Sequence, residues 1–316
     1  MVTRIILDTD PGIDDALALL FALRRPGIAV EAVTTVFGNA DIDTTTTNAI
    51  RLLDLCGRPD IPVAQGAGRS LTRPFVRKAN HIHGSDGLGE VALPPASRRP
   101  LDESASELLI RLARANPRAL TLVPVGPLTN VALALLRAPD IAPLFERIVV
   151  MGGSLHHPGI PGIPSPMADA NFWNDPEAAR IVLQSGARVE VVGMDVTMRT
   201  LFTPAMMDDL EAAGDAATRA TMAMSRFYFE AYRRQYPEIA GCALHDPLAV
   251  AVAENPSLVT MEPMACDVEC MGEITRGQLI ADRRRTAVPR SANASVALDV
   301  DAPRFLACFL SALKTA

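Results

Sequence analysis

Short runs of apolar and β-branched residues alternate with longer segments that repeat apolar residues at helical spacing through the first two-thirds of the chain. The short runs predict five β-strands, at 4–7, 29–36, 119–125, 147–151 and 189–194. The longer segments predict helices at 16–23, 44–56, 104–115, 128–136, 176–184 and 218–236. Because alternating strands and helices favour parallel pairing through right-handed crossovers, we expect an α/β fold. Its core would be a mainly parallel, Rossmann-like open sheet with helices on both faces. We expect a single domain over residues 1–316, since no internal repeat or low-complexity linker divides the chain.

Polar or glycine-rich residues follow each of the five predicted strands. Asp8 and Asp10 follow the first strand, and Asn39 comes just after the second. Segments 126–130 and 152–153 and then Asp195 follow the other three. Ligands of open parallel sheets bind beyond the carboxyl ends of the strands. The pattern therefore predicts that these residues share one binding edge.

The first of these strand ends carries four carboxylates within eight residues, at Asp8, Asp10, Asp14 and Asp15. They lie between an apolar strand and an apolar helix, with a Pro-Gly turn between the two elements. Like charges packed this closely repel one another unless protons, cations or a helix N-terminus compensate them. Solvated loop acids are the alternative, but clustered oxygen ligands of this kind are typical of calcium or magnesium sites.

A second candidate motif is the His245-Asp246 pair at the start of another apolar helix. Aspartate at such a position is often only a helix cap, which is the interpretation that we favour for Asp175. Asn171, just before Asp175, is able either to present its amide to a ligand or to make an ordinary turn.

Composition narrows the classes of protein and of ligand. The 316 residues are 49% hydrophobic, which is enough for a large core. A net charge of −6 disfavours nucleic acid as a partner. The N-terminal residues do not resemble a signal peptide, and no apolar run approaches the length of a membrane helix. Five scattered cysteines without a zinc-ligand spacing are typical of free thiols in a reducing compartment. We expect a cytoplasmic protein with a small-molecule ligand and no membrane partner.

Taken in order, these motifs resemble the calcium-dependent inosine-uridine preferring nucleoside hydrolases. The resemblance runs over nearly the whole chain, through DTDPGIDDALAL at 8–19, VFGNADIDTTTTNA at 36–49, HGSDGLG at 83–89, VGPLTNVALAL at 125–135, MGG at 151–153, NFWNDPEAA at 171–179 and HDPLAVA at 245–251. It implies an enzyme that hydrolyses the N-glycosidic bond of ribonucleosides to ribose and free base. It also implies a homodimer or a homotetramer.

The resemblance assigns roles to individual positions. It implies a Ca²⁺ ion held by Asp10, Asp15, Asp246 and the backbone carbonyl of Val125. Asp10 would in addition take the proton from the calcium-bound water, and His245 would protonate the departing base. The ribose would be held by four further residues, namely Asp14, Asn39, Met151 (through its backbone) and Asn171. Such a carboxylate-rich site suits a reaction in which positive charge develops on the sugar.

Two positions depart from the family pattern on the side of the ribose 5′-hydroxyl. The family has asparagine where this chain has Ile163, and usually glutamate where this chain has Asp169. Isoleucine has no group that can bond the hydroxyl, and aspartate is one methylene shorter than glutamate. We therefore expect a pocket that accepts a different 5′ group or that binds ordinary ribosides weakly.

The sequence identifies the residues that contact the base less clearly. Candidates are the aromatic residues of the predicted helix at 218–236, together with a histidine from the loop before residue 89: Phe227, Tyr228, Tyr232, Tyr236, His81 and His83. Packing of several of these aromatic side chains in the core is the alternative.

Two other functions compete with nucleoside hydrolysis. The segment Asp8-Thr9-Asp10 after a strand mimics the opening of haloacid dehalogenase-type phosphatases, although Gly12 stands where that motif has threonine or valine. The other alternative is a calcium-dependent nucleoside or sugar binder without catalysis. Retention of the acidic residues at 10, 14, 15 and 246 argues against it.

Overall fold

The computed structural model describes residues 2–76, 79–156, 165–284 and 290–314. The strands within these ranges are β1 (Thr3–Thr9), β2 (Ile28–Thr35), β3 (Val63–Gln65), β4 (Thr121–Pro124), β5 (Arg147–Met151), β6 (Val189–Val192), β7 (Leu201–Phe202), β8 (Cys242–Ala243), β9 (Val259–Met264), β10 (Cys266–Val268), β11 (Leu279–Ala281) and β12 (Ala294–Val300).

The α-helices are α1 (Ile13–Arg24), α2 (Ile42–Leu55), α3 (Asn80–His83), α4 (Ala105–Ala115), α5 (Thr129–Arg137), α6 (Ala170–Asn174), α7 (Pro176–Leu183), α8 (Met194–Thr197), α9 (Pro204–Ala213), α10 (Ala216–Gln235), α11 (His245–Glu254) and α12 (Ala302–Lys314). Two short 3₁₀ helices lie at Pro139–Leu144 and Pro256–Leu258. None of the helices in the described ranges is long and apolar enough to cross a membrane.

Eight strands form one sheet in the order β3-β2-β1-β4-β5-β6-β12-β9. Every neighbouring pair in it is parallel except β12 and β9, which pair antiparallel at one edge. The mainly parallel α/β sheet predicted from the sequence is thereby confirmed. Its five predicted strands are β1, β2, β4, β5 and β6, which occupy neighbouring positions in the sheet.

The sheet is covered on both faces because successive side chains of a strand point to opposite sides. In β1, Ile5 and Leu7 join the apolar cluster that contains α1, α10 and α11, whereas Ile6 joins the cluster on the opposite face with α4, α5 and α7. All three β1 side chains are fully buried. The result is one domain with helices on both faces, as expected.

Helices α1 and α11 pack against each other on one side of the sheet, and both are buried along almost their whole length. Each begins at the carboxyl edge of the sheet with an acidic first turn. Their packing therefore brings Asp14 and Asp15 at the start of α1 close to Asp246 at the start of α11.

Candidate functional site

A pocket opens at this carboxyl edge, and most side chains predicted for the site line it. They are Asp14, Asn39, His83, Val125, Met151, Asp169, Asn171, Tyr228, Tyr232, His245 and Asp246. Asp10 and Asp15 lie beside the wall, where both bond to Asn39. Ile163 lies outside the described residues. Segments that are more than two hundred positions apart in the chain thus meet at one site.

The pocket floor holds a cluster of carboxylates. Asp14, Asp15 and Asp246 each offer an oxygen, and these atoms all lie within 4.8 Å of one another. Asp10 is also buried, and its Oδ2 accepts the backbone N–H of Asn39 at 2.7 Å. A Cβ atom on Gly126 would lie 2.6 Å from Asp10 Oδ1, so the backbone approaches this carboxylate as only glycine allows.

Asp15 is held rigidly by donors from the turn before its own helix. Its carboxylate accepts the Thr9 hydroxyl, the backbone N–H of Asp10 at 3.2 Å and that of Gly12 at 2.9 Å. The Asn39 amide donates to it at 3.0 Å. Gly12 has to be glycine here, because a Cβ atom would lie 2.6 Å from Asn39 Nδ2. The Pro-Gly turn therefore fixes the orientation of one acid of the cluster.

The electrostatics of the cluster favour a bound cation. Burial raises the pKa of Asp14 to about 8, with repulsion from Asp15 adding to the shift. Burial is also the largest cause of the raised pKa values of Asp10, Asp15 and Asp246. Asp10 Oδ1 and Asp14 Oδ1 are buried without a hydrogen-bond partner among the described residues. Unpartnered buried carboxylate oxygens are costly, so this donor set fits a hard divalent cation.

Asp8 has a different role from the other three acids of its motif. Its Oδ1 accepts the Thr34 hydroxyl at 2.6 Å and the Asn130 amide at 2.8 Å. The same amide donates to the Thr35 carbonyl at 2.9 Å. Asp8 therefore ties the ends of β1 and β2 to the start of α5 behind the cluster.

Asn171 connects two strand ends at the pocket wall. Its side-chain amide donates to the carbonyl oxygen of Val125 at 2.7 Å and to that of Met151 at 3.1 Å. Both carbonyls belong to positions that the sequence predicted for the site. The structure brings these three residues together beside the acidic cluster.

Asp169 is the N-cap of the short helix α6. One carboxylate oxygen accepts the N–H of Gly153 at 2.6 Å and that of Phe172 at 3.3 Å, and the other accepts the N–H of Asn171 at 2.8 Å. Burial raises its pKa to about 6 despite these bonds. The carboxylate thus braces α6 against the loop after β5.

The opposite wall carries His245 between two hydroxyl groups. Thr197 Oγ1 lies 2.6 Å from Nδ1, and Tyr232 Oη lies 2.6 Å from Nε2. Burial lowers the pKa of His245 to about 4 and raises that of Tyr232, so both side chains are neutral near pH 7. Tyr228 lies beside Tyr232, and its hydroxyl is 3.4 Å from Asp14 Oδ2.

His83, the last residue of the short helix α3, closes this wall. Its Nδ1 accepts the backbone N–H of Ile13 at 3.1 Å, which anchors α3 to the start of α1. Its ring stacks on that of Tyr228 with centroids 5.5 Å apart. The neutral ring therefore carries its proton on Nε2, since a backbone N–H can only donate.

The other candidates for base contact lie away from the pocket wall. Phe227 and Tyr236 pack against the core cluster, and His81 lines a neighbouring pocket together with Trp173 and Gln235. Core packing was the alternative stated for the aromatic residues, and it holds for all four, since Tyr228 and Tyr232 are buried members of the same cluster and also line the pocket.

Four residues of the site were missed from the sequence. Ile82, Ala170 and Met194 line the pocket, and Thr197 supports it from behind. Ile82 and Ala170 each adjoin a predicted site residue, which was the available signal. Met194 is the last residue of the fifth predicted strand and Thr197 lies just beyond it, where the sequence pattern singled out only Asp195. Asp195 instead accepts the N–H of Leu155 at 2.8 Å.

Comparisons with known proteins identify the family of this chain. The family model described as "Inosine-uridine preferring nucleoside hydrolase" matches residues 5–307. The inosine-uridine preferring nucleoside hydrolase of Leishmania major is 37% identical over 99% of this chain and 98% of its own length. The pyrimidine-specific ribonucleoside hydrolase of Salmonella schwarzengrund is also 37% identical, over 99% of both chains.

Among solved structures, the purine-preferring ribonucleoside hydrolase from Gardnerella vaginalis matches with a TM-score of 0.93. It is 38% identical and covers 99% of this chain and 98% of its own. Relatives of nearly equal identity thus carry names with opposite base preferences, so overall identity does not specify the base. The chain belongs to the inosine-uridine preferring nucleoside hydrolase family and is a hydrolase of the N-glycosidic bond of ribonucleosides.

Proposed function

We propose that this protein cleaves ribonucleosides with a Ca²⁺ ion at the acidic cluster, Asp10 as the general base and His245 at the departing base. The observation that carries the proposal is the close approach of Asp14, Asp15 and Asp246 within 4.8 Å at the base of a pocket. The unpartnered oxygen of Asp10 in the same buried site adds to it.

The residues that would hold the cation are Asp10, Asp15, Asp246 and the carbonyl of Val125. When bound, the cation would neutralise the carboxylates, bind the 2′- and 3′-hydroxyls of the ribose and lower the pKa of water. A site of carboxylate and carbonyl oxygens without imposed octahedral geometry suits calcium better than magnesium, which demands a strict octahedron.

Asp10 would accept the proton of the attacking water. Its Oδ1 keeps its acceptor capacity free among the described residues, while Oδ2 is oriented by the N–H of Asn39. A general base that is held in this way contributes about 10²- to 10⁴-fold to a rate. Asp14, with one unpartnered oxygen at the pocket, would bond a ribose hydroxyl, and the Asn171 amide would do so beside it.

The carboxylates would also stabilise the transition state electrostatically. Cleavage of a glycosidic bond builds positive charge on the sugar ring while the base departs with the bonding electrons. Preorganised negative charge in a buried site stabilises the positive charge on the sugar ring. The hydrogen-bonded pair of His245 and Tyr232 on the opposite wall would face the departing base.

Release of ribose from inosine and uridine, measured by a reducing-sugar assay, tests the proposal. Asp10→Asn should lower kcat by about 10³-fold, because the amide cannot take the proton. Asp43→Asn, which changes an exposed carboxylate on α2, is the matched control and should leave kcat unchanged. Wild-type protein that releases no ribose from any nucleoside, or Asp10→Asn with nearly full kcat, would overturn the proposal.

The alternatives gain no support from the comparisons. The family match covers nearly the whole chain and concerns nucleoside hydrolases rather than phosphatases. The buried acids of the cluster are all retained, which favours turnover over binding alone.

We also propose that residues 1–316 act as one catalytic domain in a cytoplasmic homodimer or homotetramer. Free cysteines, three of them buried, support a reducing compartment. The net charge of −6 supports a small nucleoside rather than nucleic acid as the partner. Light scattering of the purified protein measures the assembly directly, and a monomer would contradict this part.

A further inference from the structure

Thr197, His245 and Tyr232 are joined in series by two hydrogen bonds. The direction of these bonds decides whether the pocket wall presents a hydrogen-bond donor to a ligand. Thr197 is fully buried, and His245 and Tyr232 are 8% and 4% exposed. A neutral imidazole has one donor and one acceptor nitrogen. Either Nδ1 accepts and Nε2 donates, or the reverse holds.

Thr197 sets this direction. Its hydroxyl has no hydrogen-bond partner other than His245 Nδ1 in the part of the chain that the structure describes. If Nδ1 carried the proton, the hydroxyl hydrogen of Thr197 would be buried without an acceptor, which costs about 1–3 kcal/mol. The hydroxyl therefore donates to Nδ1, and the imidazole proton is on Nε2.

The consequence appears at Tyr232. With its proton on Nε2, His245 donates to Tyr232 Oη, and the hydrogen of the Tyr232 hydroxyl is not consumed by the imidazole. The Tyr228 hydroxyl, at 3.5 Å, is the donor in its weak contact with Tyr232 Oη and therefore does not take up this hydrogen. With the opposite tautomer, that hydrogen would be spent on Nε2.

The backbone holds Thr197 at the distance that this arrangement needs. Thr197 is the last residue of α8, and its carbonyl accepts both the N–H and the hydroxyl of Thr200. The Thr200 carbonyl in turn accepts the N–H of Leu244, the residue before His245. β7 and β8 pair directly beyond this contact.

We propose that Thr197 is a positioning residue that fixes the tautomer of His245, so that the Tyr232 hydroxyl donates a hydrogen bond to the departing nucleobase. This inference rests on the proposed nucleoside hydrolysis and extends it to a residue outside the pocket wall. Donation stabilises the negative charge that builds on the base as the C–N bond breaks, and it requires no transfer of the proton.

Substrates with different leaving groups distinguish this role of Thr197 from a purely structural one. Thr197→Val keeps the shape but removes the donor, whereas Thr197→Ser keeps the donor. We expect Thr197→Val to lower kcat on inosine and uridine by about 10- to 100-fold and Thr197→Ser to retain most of it. On p-nitrophenyl β-ribofuranoside, whose leaving group is a stable anion, Thr197→Val should stay within about 2-fold of wild type.

The tautomer is observable without turnover. In ¹⁵N spectra of the wild-type protein, assigned through loss of the signals in His245→Gln, Nδ1 should resonate as an acceptor nitrogen and Nε2 as a protonated one. Thr197→Val should shift both signals towards a mixture of tautomers.

The outcomes distinguish the two proposals. Equal losses on both kinds of substrate, no loss on either, or a wild-type His245 protonated on Nδ1 would overturn the role of Thr197 while nucleoside hydrolysis stands. Wild-type protein that cleaves neither substrate would overturn both.

Discussion

The side-chain amide of Asn171 donates to the backbone carbonyl of Val125 at 2.7 Å, and so links the start of α6 to the end of β4. The same amide donates to the Met151 carbonyl at 3.1 Å. One side chain thus holds the ends of two adjacent strands on the wall of the pocket. Since the Val125 carbonyl is a proposed calcium ligand, Asn171 would affect both the sugar side and the metal side of the proposed site.

Removal of this amide should therefore weaken binding and catalysis together. We expect Asn171→Ala to lower kcat/KM for inosine by about 10- to 100-fold and to weaken calcium binding several-fold, because two buried carbonyls lose their donor. Steady-state kinetics and calcium titration by calorimetry measure the two effects. A kcat/KM within about 2-fold of wild type would show that the amide is dispensable.

Substitutions of Asp14, Asp15 and Asp246 should have different effects on calcium binding and on kcat/KM. Asp15→Asn and Asp246→Asn should each weaken calcium binding by at least about 100-fold, since a carboxylate ligand is lost. Asp14→Asn should act on the ribose instead, with a lower kcat/KM and a calcium Kd within about 5-fold of wild type. Calorimetry on the three variants decides this. An equal loss of calcium affinity in Asp14→Asn would place Asp14 in the coordination sphere, as its position in the 4.8 Å cluster allows.

Calcium-free protein should lose stability as the pH rises. Burial raises the pKa of Asp14 to about 8 and that of Asp8 to about 7, so the folded state binds protons that the unfolded state, with ordinary carboxyl pKa values, has already released. The free energy of unfolding then falls with increasing pH in this range. We expect a Tm lower by at least about 2 °C at about pH 8.5 than at about pH 6.5. Differential scanning calorimetry of dialysed, metal-free protein measures this difference.

The matched control for this pH dependence is Asp14→Asn, which removes one of the buried carboxyl groups. Its Tm should depend less on pH than that of the wild type. Saturating calcium should stabilise the wild type more at the higher pH, where the carboxylates are ionised. A wild-type Tm that rises with pH in the absence of metal would contradict the assigned cause.

The 5′-hydroxyl of the substrate should contribute little to kcat/KM. Both carboxylate oxygens of Asp169 already accept backbone N–H groups, and the sequence offers isoleucine at position 163. We expect 5′-deoxy forms of inosine and uridine to have kcat/KM within about 3-fold of the parent nucleosides. The 3′-deoxy forms are the control and should lose at least about 100-fold, because they lack a hydroxyl that the site is built to bind. A large loss in the 5′-deoxy forms would refute this expectation.

The sequence predicted the central sheet well because its strands are buried on both faces. β1, β2, β4, β5 and β6 appear as short continuous apolar runs, which parallel strands require. β3 is only three residues long, and β9 alternates exposed and half-buried positions at the sheet edge, so neither stands out. β12 follows a segment rich in arginine in the last third of the chain, outside the region in which strands and helices alternate regularly.

The site could be predicted where a motif carries its chemistry in charged or amide side chains. The acids of the first motif and Asn171 belong to this group. The role of Thr197 was not predictable, because a threonine at the end of a four-residue helix has no distinctive pattern. It becomes apparent only when tertiary structure places its hydroxyl 2.6 Å from His245. Which aromatic residues of α10 line the pocket, Tyr228 and Tyr232 but not Tyr236, likewise depends on how this helix docks.

Metal dependence of ribose release tests the central proposal most directly. Wild-type protein is assayed on a panel of purine and pyrimidine nucleosides before chelation, after complete removal of metal, and after calcium is restored. We predict that chelation lowers kcat/KM by at least about 10³-fold and that calcium restores it, because the buried carboxylates are left without their counterion. Nucleoside hydrolysis that continues at full rate in metal-free protein would contradict the account.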